Sequence, residues 1–191
     1  MSDQIPMFGL ACSLREESLN EKLLHSVADV LQERSAVELH TAKLTEYPLP
    51  LYNADIQDEK GIPEAGHRLR DAINAASNIV LVTPEYNHSI AGPLKNAIDW
   101  TSRFRPNPWA DTNILLMAAA PSRMGGLRGL QETRVPLQAL GAHVYPKMYG
   151  LSNAHQAFDA DDRLQNQQRR SEIASLVDAF IDHLGGGPTD R

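Results

Sequence analysis

The segment Ile79-Val80-Leu81-Val82-Thr83-Pro84-Glu85-Tyr86-Asn87-His88-Ser89-Ile90-Ala91-Gly92-Pro93-Leu94-Lys95-Asn96-Ala97-Ile98-Asp99-Trp100 sets the architecture. Its first four residues are apolar without alternation and rich in β-branched side chains. A strand of that kind must be covered on both faces, as in a parallel sheet between helices. At the other end, Gly92-Pro93 opens a helix running to about Ser102, because proline suits the first turn, where its missing N–H costs nothing. Between them lies a loop with a proline, an aromatic ring and several amides and hydroxyls. Such a loop at the carboxyl end of a buried parallel strand is where open α/β sheets bind ligands, and its flat groups can wall a heterocycle.

The flanking sequence repeats the pattern. Met7 to Cys12 reads as a buried strand, and Leu19, Leu23, Leu24, Val27 and Leu31 recur at helical spacing over about Ser18 to Arg34. Ala36 to His40 is a second strand. Pro63 can open a helix that Leu69, Ile73 and Ala76 continue. Ile114 to Ala119 is a fourth strand, and the helix from about Leu127 to Leu140 should kink or break at Pro136. Ala142 to Tyr145 is a short fifth strand and Ser171 to Leu184 a final helix. Five strands alternating with five helices predict a three-layer α/β sandwich around a five-stranded parallel sheet. One domain is expected over residues 1–184, with residues 185–191 as a frayed, disordered tail.

Composition narrows the function. At 191 residues with 42% apolar side chains, one domain burying roughly 70% of its unfolded surface needs no metal or disulfide staple. A net charge of −6 disfavours a nucleic-acid binder, since phosphate neutralisation needs a basic face. Cys12 is the only cysteine, so no intrachain disulfide is possible and a reducing, cytoplasmic location is expected. The start Met1-Ser2-Asp3-Gln4 does not read as a targeting signal, and no apolar run approaches the ~20 residues of a membrane span. The histidines form no close pair at metal-ligand spacing, so no metal is expected. There is no G-x-S-x-G elbow for a serine hydrolase.

Two more loops follow apolar strands. In Ser13-Leu14-Arg15-Glu16-Glu17-Ser18-Leu19-Asn20, Ser18-x-x-Glu21 fits a capping box. The helix start, the hydroxyls of Ser13 and Ser18, the Asn20 amide and the Arg15 guanidinium could cradle a phosphate. Ser18 acting only as a cap, with Arg15 in solvent, is the plainer reading of the same residues. In Ala120-Pro121-Ser122-Arg123-Met124-Gly125-Gly126, the paired glycines would let backbone N–H groups approach a ligand, or simply turn the chain into a helix. Neither G-x-G-x-x-G nor G-x-x-x-x-G-K-[ST] occurs, which argues against a dinucleotide-type Rossmann site and a P-loop.

Taken in order, S-L-R-x-x-S-x-N, P-E-Y-N-x-S-x-x-G-x-L-K-N-A-I-D-W and P-x-R-x-G-G resemble the NADPH-dependent FMN reductase family over about Met7 to Tyr145. That family has a flavodoxin-like fold and includes quinone, chromate and azo-type reductases. The resemblance implies strand order 2-1-3-4-5 and bound FMN. The phosphate would sit on Ser13, Arg15, Ser18 and Asn20. The isoalloxazine would lie against Pro84, Glu85, Tyr86 and Asn87, with Ser89 supporting that loop and Ala120, Arg123, Gly125 and Gly126 closing the other edge. It further implies hydride transfer from NADPH or NADH to flavin N5 and then to a small-molecule electron acceptor, with no side chain acting as an obligatory base. A homodimer or homotetramer is expected, with the proline-containing run Arg103 to Trp109 as a candidate contact or lid.

Two residues depart from the family pattern. Ala11-Cys12 stand where Ser-Gly is usual, and Ser122 where glycine is frequent. A larger side chain there can narrow the approach of backbone to phosphate. Two other functions therefore stand beside the reductase: a flavodoxin-type electron carrier without nicotinamide activity, and a flavin-poor binding or regulatory relative.

Overall fold

The computed structural model describes residues 4–185. The strands are β1 (Ile5–Ala11), β2 (Val37–Lys43), β3 (Asn78–Val82), β4 (Glu85–Tyr86), β5 (Ser89–Ile90), β6 (Asn113–Ala119), β7 (His143–Val144) and β8 (Tyr149–Leu151). The helices are α1 (Leu19–Gln32), α2 (Ala54–Lys60), α3 (Glu64–Ala76), α4 (Gly92–Thr101), α5 (Leu127–Ala139) and α6 (Gln167–Gly185). The main sheet runs β2-β1-β3-β6-β7, all parallel, with β8 also paired to β6. This is the flavodoxin-like order.

Alternation along each strand feeds two apolar layers. Phe8, Leu10, Ile79, Leu81, Ile114 and Leu116 face α3, α4 and α5. Met7, Val80, Val82, Leu115 and Met117 face α1 and α6. Both faces are covered, so the central strands carry no polar alternation.

Several details differ from the sequence expectation. Among the described residues the sheet has six strands, because the fifth lane is divided. Here β7 pairs with Asn113 and Ile114, and β8 with Met117 to Ala119. Pro146 lies between them and has no N–H to donate to a ladder. Helix α5 passes through Pro136 and ends three residues later, so the proline marks the last turn. Helix α2 has no buried residue and hence no apolar periodicity to reveal it. Trp109, expected as an exposed contact or lid, is fully buried, and its indole N–H donates to Thr101 Oγ1 at 2.8 Å. The polar, proline-rich run before it folds back onto α4 and takes the ring into the core. Gly185 closes α6, and the rest of the expected tail, residues 186–191, lies outside the described residues.

Candidate active site

The loops after β1, β3 and β6 leave the same end of the sheet. In the first, Cys12 N–H extends the ladder to the Val82 carbonyl at 2.8 Å. Its side chain points into the core under α3 and α4, and burial pushes the thiol pKa well up. Cys12 therefore adds bulk to the core layer, and its protonated sulfur is unsuited to redox chemistry. Ser13 is buried, and its hydroxyl accepts from the Arg15 N–H at 3.3 Å. Ser18 caps α1 by accepting from the Glu21 N–H at 3.3 Å. The reciprocal half of the expected capping box is replaced, because the Glu21 carboxylate pairs with Lys43. Among the described residues, the exposed Arg15 guanidinium has no hydrogen bond or ion pair, and the Leu19 and Asn20 N–H groups of the first helical turn have no acceptor.

Asn20 has a different set of partners from those expected. Its buried amide accepts from Ala119 N–H at 2.9 Å and donates to Ala119 C=O at 3.2 Å. It ties the start of α1 to the end of β6 and thereby joins the first and third loops.

The second loop is a hairpin. Glu85–Tyr86 pairs antiparallel with Ser89–Ile90 around Asn87 and His88, whose φ values are 51° and 63°. Two positive φ values suit a type I′ turn, whose twist matches the strands. Pro84 is buried beneath it. Alternation sends Glu85 and Tyr86 to opposite faces. Glu85 accepts from the Gly129 N–H at 2.8 Å and so caps α5 from another segment. Its second oxygen lies 3.3 Å from His88 Nδ1, which is 3.1 Å from the Arg128 guanidinium. A Cβ at Gly129 would stand 2.9 Å from Glu85 Cβ and 3.0 Å from the Ser89 carbonyl, so the hairpin rests directly on α5. Tyr86 faces the other way, 41% exposed. Replacing Glu85 by alanine should cost about 0.5–2 kcal/mol through the lost cap, read as a lower urea midpoint. Glu85→Gln keeps the acceptor and should recover much of that loss.

In the third loop, Ala120 donates to the Leu151 carbonyl at 3.1 Å and accepts from Ala154 N–H at 3.0 Å. The Ser122 carbonyl accepts from Gly125 and Asn153, at 3.2 and 3.1 Å. Gly125 and Gly126 have φ of 61° and 90°. A side chain at Gly125 would strike the Gly150 backbone, and a Cβ at Gly126 would stand 2.7 Å from Ala118 Cβ. These glycines thus serve chain crossing on the protein side. The side chains of Ser122 and Arg123 are exposed at the rim. Arg103 packs over the Tyr52 ring, and Arg105 donates to the Ser102 and Phe104 carbonyls.

Sequence reasoning missed a fourth segment. After β2 the chain passes through Tyr47-Pro48-Leu49-Pro50-Leu51-Tyr52 and is fastened to α4. Asn96 accepts from Tyr52 N–H at 2.8 Å and donates to the Pro50 carbonyl at 2.9 Å, and Trp100 donates to the same carbonyl at 2.7 Å. The only signal was the i, i+4 placement of Asn96 and Trp100 in the long motif, which puts both on one helix face.

The donor set of the first loop is a guanidinium, two hydroxyls and a helix N-terminus. That chemistry fits a phosphate monoester. The hairpin at the same end of the sheet carries the partly exposed Tyr86 ring. Among the described residues, no cluster of histidine, cysteine or carboxylate side chains could hold a metal ion, and no helix is long and apolar enough to cross a membrane.

A solved flavoenzyme NAD(P)H:(acceptor) oxidoreductase from Paracoccus denitrificans superposes with a TM-score of 0.77 at 28% identity, over 93% of this chain and 95% of that one. The fold is that of the flavodoxin-like reductases. Residues 6–156 match the model of the NADPH-dependent FMN reductase family, and the chain belongs to that family. An NAD(P)H-dependent FMN reductase of Pseudomonas aeruginosa is 36% identical, with 94% of this chain and 95% of that protein aligned. A quinone reductase of Escherichia coli K12 is 35% identical, with coverages of 97% and 93%.

Proposed function

We propose that this chain is a cytoplasmic FMN-dependent NAD(P)H oxidoreductase that reduces a small-molecule acceptor, built as one domain over residues 1–184 and assembling as a homodimer or homotetramer. The observation that carries the cofactor site is Arg15, an exposed cation without a partner among the described residues, beside the open N–H groups of α1. Arg15, Ser13, Ser18 and the first turn of α1 hold the phosphate. Asn20 positions this loop against the third one through Ala119. Pro84, Glu85 and Asn87 build the hairpin, Ser89 seats it on α5, and Tyr86 presents the exposed ring toward the isoalloxazine. Ala120, Gly125 and Gly126 shape the opposite edge, and Arg123 at its rim meets a phosphate of the nicotinamide cosubstrate.

When bound, FMN supplies a two-electron carrier between NAD(P)H and the acceptor. The protein orients both partners on one shared face and needs no proton-abstracting side chain. Shared occupancy predicts ping-pong kinetics. The test is an absorbance spectrum of the purified, FMN-loaded protein before and after anaerobic NADPH. The visible flavin bands should bleach without a partner protein and return when a quinone is added. Flavin that stays oxidised would indicate a flavodoxin-type carrier, and failure to take up FMN would indicate a binding or regulatory relative.

A further inference from the structure

A groove of about 740 Å³ runs alongside the first loop, between the Tyr47–Leu51 strap and the first turn of α4. Its size suits a small-molecule site. Leu14 borders it from between Ser13 and Arg15, and Gly92-Pro93 border it directly after the hairpin, so it is continuous with the proposed flavin cradle. Its walls are chiefly leucine and proline side chains with Tyr47, and none of the described residues lining it is charged. Leu51 and Leu14 are 82% and 53% exposed on its border. These apolar side chains are held on a fixed frame, because Asn96 and Trp100 together bind Leu49, Pro50 and Tyr52 through four hydrogen bonds. Tyr52 also packs edge-on against Trp100 at 5.0 Å.

We propose that this groove is the subsite for an uncharged, flat, apolar acceptor of the quinone type, and that Asn96 and Trp100 are its positioning residues. The inference rests on the reductase reading above. A wall without cations offers nothing to the pyrophosphate of a dinucleotide, to an oxyanion or to the phosphate of free FMN. Desolvating such charges there would be costly, whereas a neutral aromatic ring gains by leaving water. The acceptor then reaches the shared flavin face with its apolar body resting against Leu14, Pro50 and Pro93.

The test uses the FMN-loaded protein, with 1,4-naphthoquinone as the apolar acceptor and ferricyanide as the anionic one. Leu51→Asp places a carboxylate on the exposed border and should lower the naphthoquinone-to-ferricyanide ratio of kcat/KM by about tenfold or more, chiefly through the quinone KM. Asn96→Ala, which frees the strap, should shift the ratio in the same direction by about threefold to tenfold. Binding is read separately as quenching of tryptophan fluorescence by naphthoquinone without NAD(P)H, and Leu51→Asp should weaken it in parallel. An unchanged ratio, or an equal loss with both acceptors, overturns the proposal. So does sedimentation showing that Leu51→Asp dissociates an oligomer while naphthoquinone still quenches normally, which would make the groove a contact between copies. If the wild-type protein binds naphthoquinone but reduces neither acceptor, the reductase reading fails and the groove stands.

Discussion

Asn20→Ala should destabilise the fold by about 2–4 kcal/mol, because it removes two buried hydrogen bonds and strands both backbone groups that made them. The geometry explains why water does not simply replace the amide. Met117 and Ala119 direct their N–H and C=O groups toward the same neighbour in the sheet, since they are two apart on one strand. At Met117 that neighbour is still present, and Thr83 N–H donates to its carbonyl at 2.9 Å. The next rung would need the Thr83 carbonyl and the Glu85 N–H, but the chain has already turned away through Pro84 into the hairpin. Ala119 would then face an empty lane, and Asn20 fills it with one acceptor and one donor. Asn20 is 4% exposed and Ala119 is equally buried, so the orphaned groups have little access to solvent. Urea unfolding read by circular dichroism measures the loss. Asn20→Leu, which restores volume without polarity, should be no better. A loss below about 0.5 kcal/mol in both variants would show that the lane accepts water after all.

Arg15→Ala should leave stability unchanged and weaken FMN binding by about 1.5–3 kcal/mol, the usual worth of a charge-assisted hydrogen bond. That is about 10- to 150-fold in Kd. The guanidinium is exposed and has no protein partner among the described residues, so its removal orphans nothing in the apo fold. Glu17, close by in sequence, is already held by Lys22 at 3.5 Å and does not neutralise it. Arg15→Lys keeps the charge but loses the planar fork, and should fall between wild type and alanine. Fluorescence titration with FMN and with riboflavin makes the measurement specific. Riboflavin has no phosphate, so its affinity should not respond to Arg15. Equal losses for both ligands would move Arg15 away from the phosphate.

Where a residue's role follows from its own chain neighbours, the sequence was a good guide. Ser18 caps α1 as its place before an amphipathic run required. The unbroken apolar runs at Ile79 and Ile114 became central strands because such runs are stable only when covered on both faces. The limits appear where the partner is distant. Asn20 looked like a phosphate ligand because an amide beside a helix start has that capacity, and nothing local reveals Ala119, 99 positions away. The two glycines at 125 and 126 looked like ligand-facing backbone. Their positive φ values were foreseeable from composition, but the neighbours they accommodate, Gly150 and Ala118, were not. Trp109 misled for a related reason, since charged and proline-rich surroundings say nothing about where the ring is finally buried.

The sequence by itself determined the layered α/β architecture, the positions of the four long strands and the three loops that carry the motifs. Hydrophobic periodicity and turn chemistry act over a few residues and are written in order along the chain. Only the tertiary structure decided which polar groups on those loops remain open to a ligand and which are consumed in holding the loops together. That division depends on hydrogen bonds between segments far apart in sequence, and a buried donor or acceptor must find its partner wherever the fold brings one. Arg15 was left open, Asn20 and Glu85 were taken up, and the strap at Leu49 to Leu51 was fixed over an apolar groove by side chains from α4.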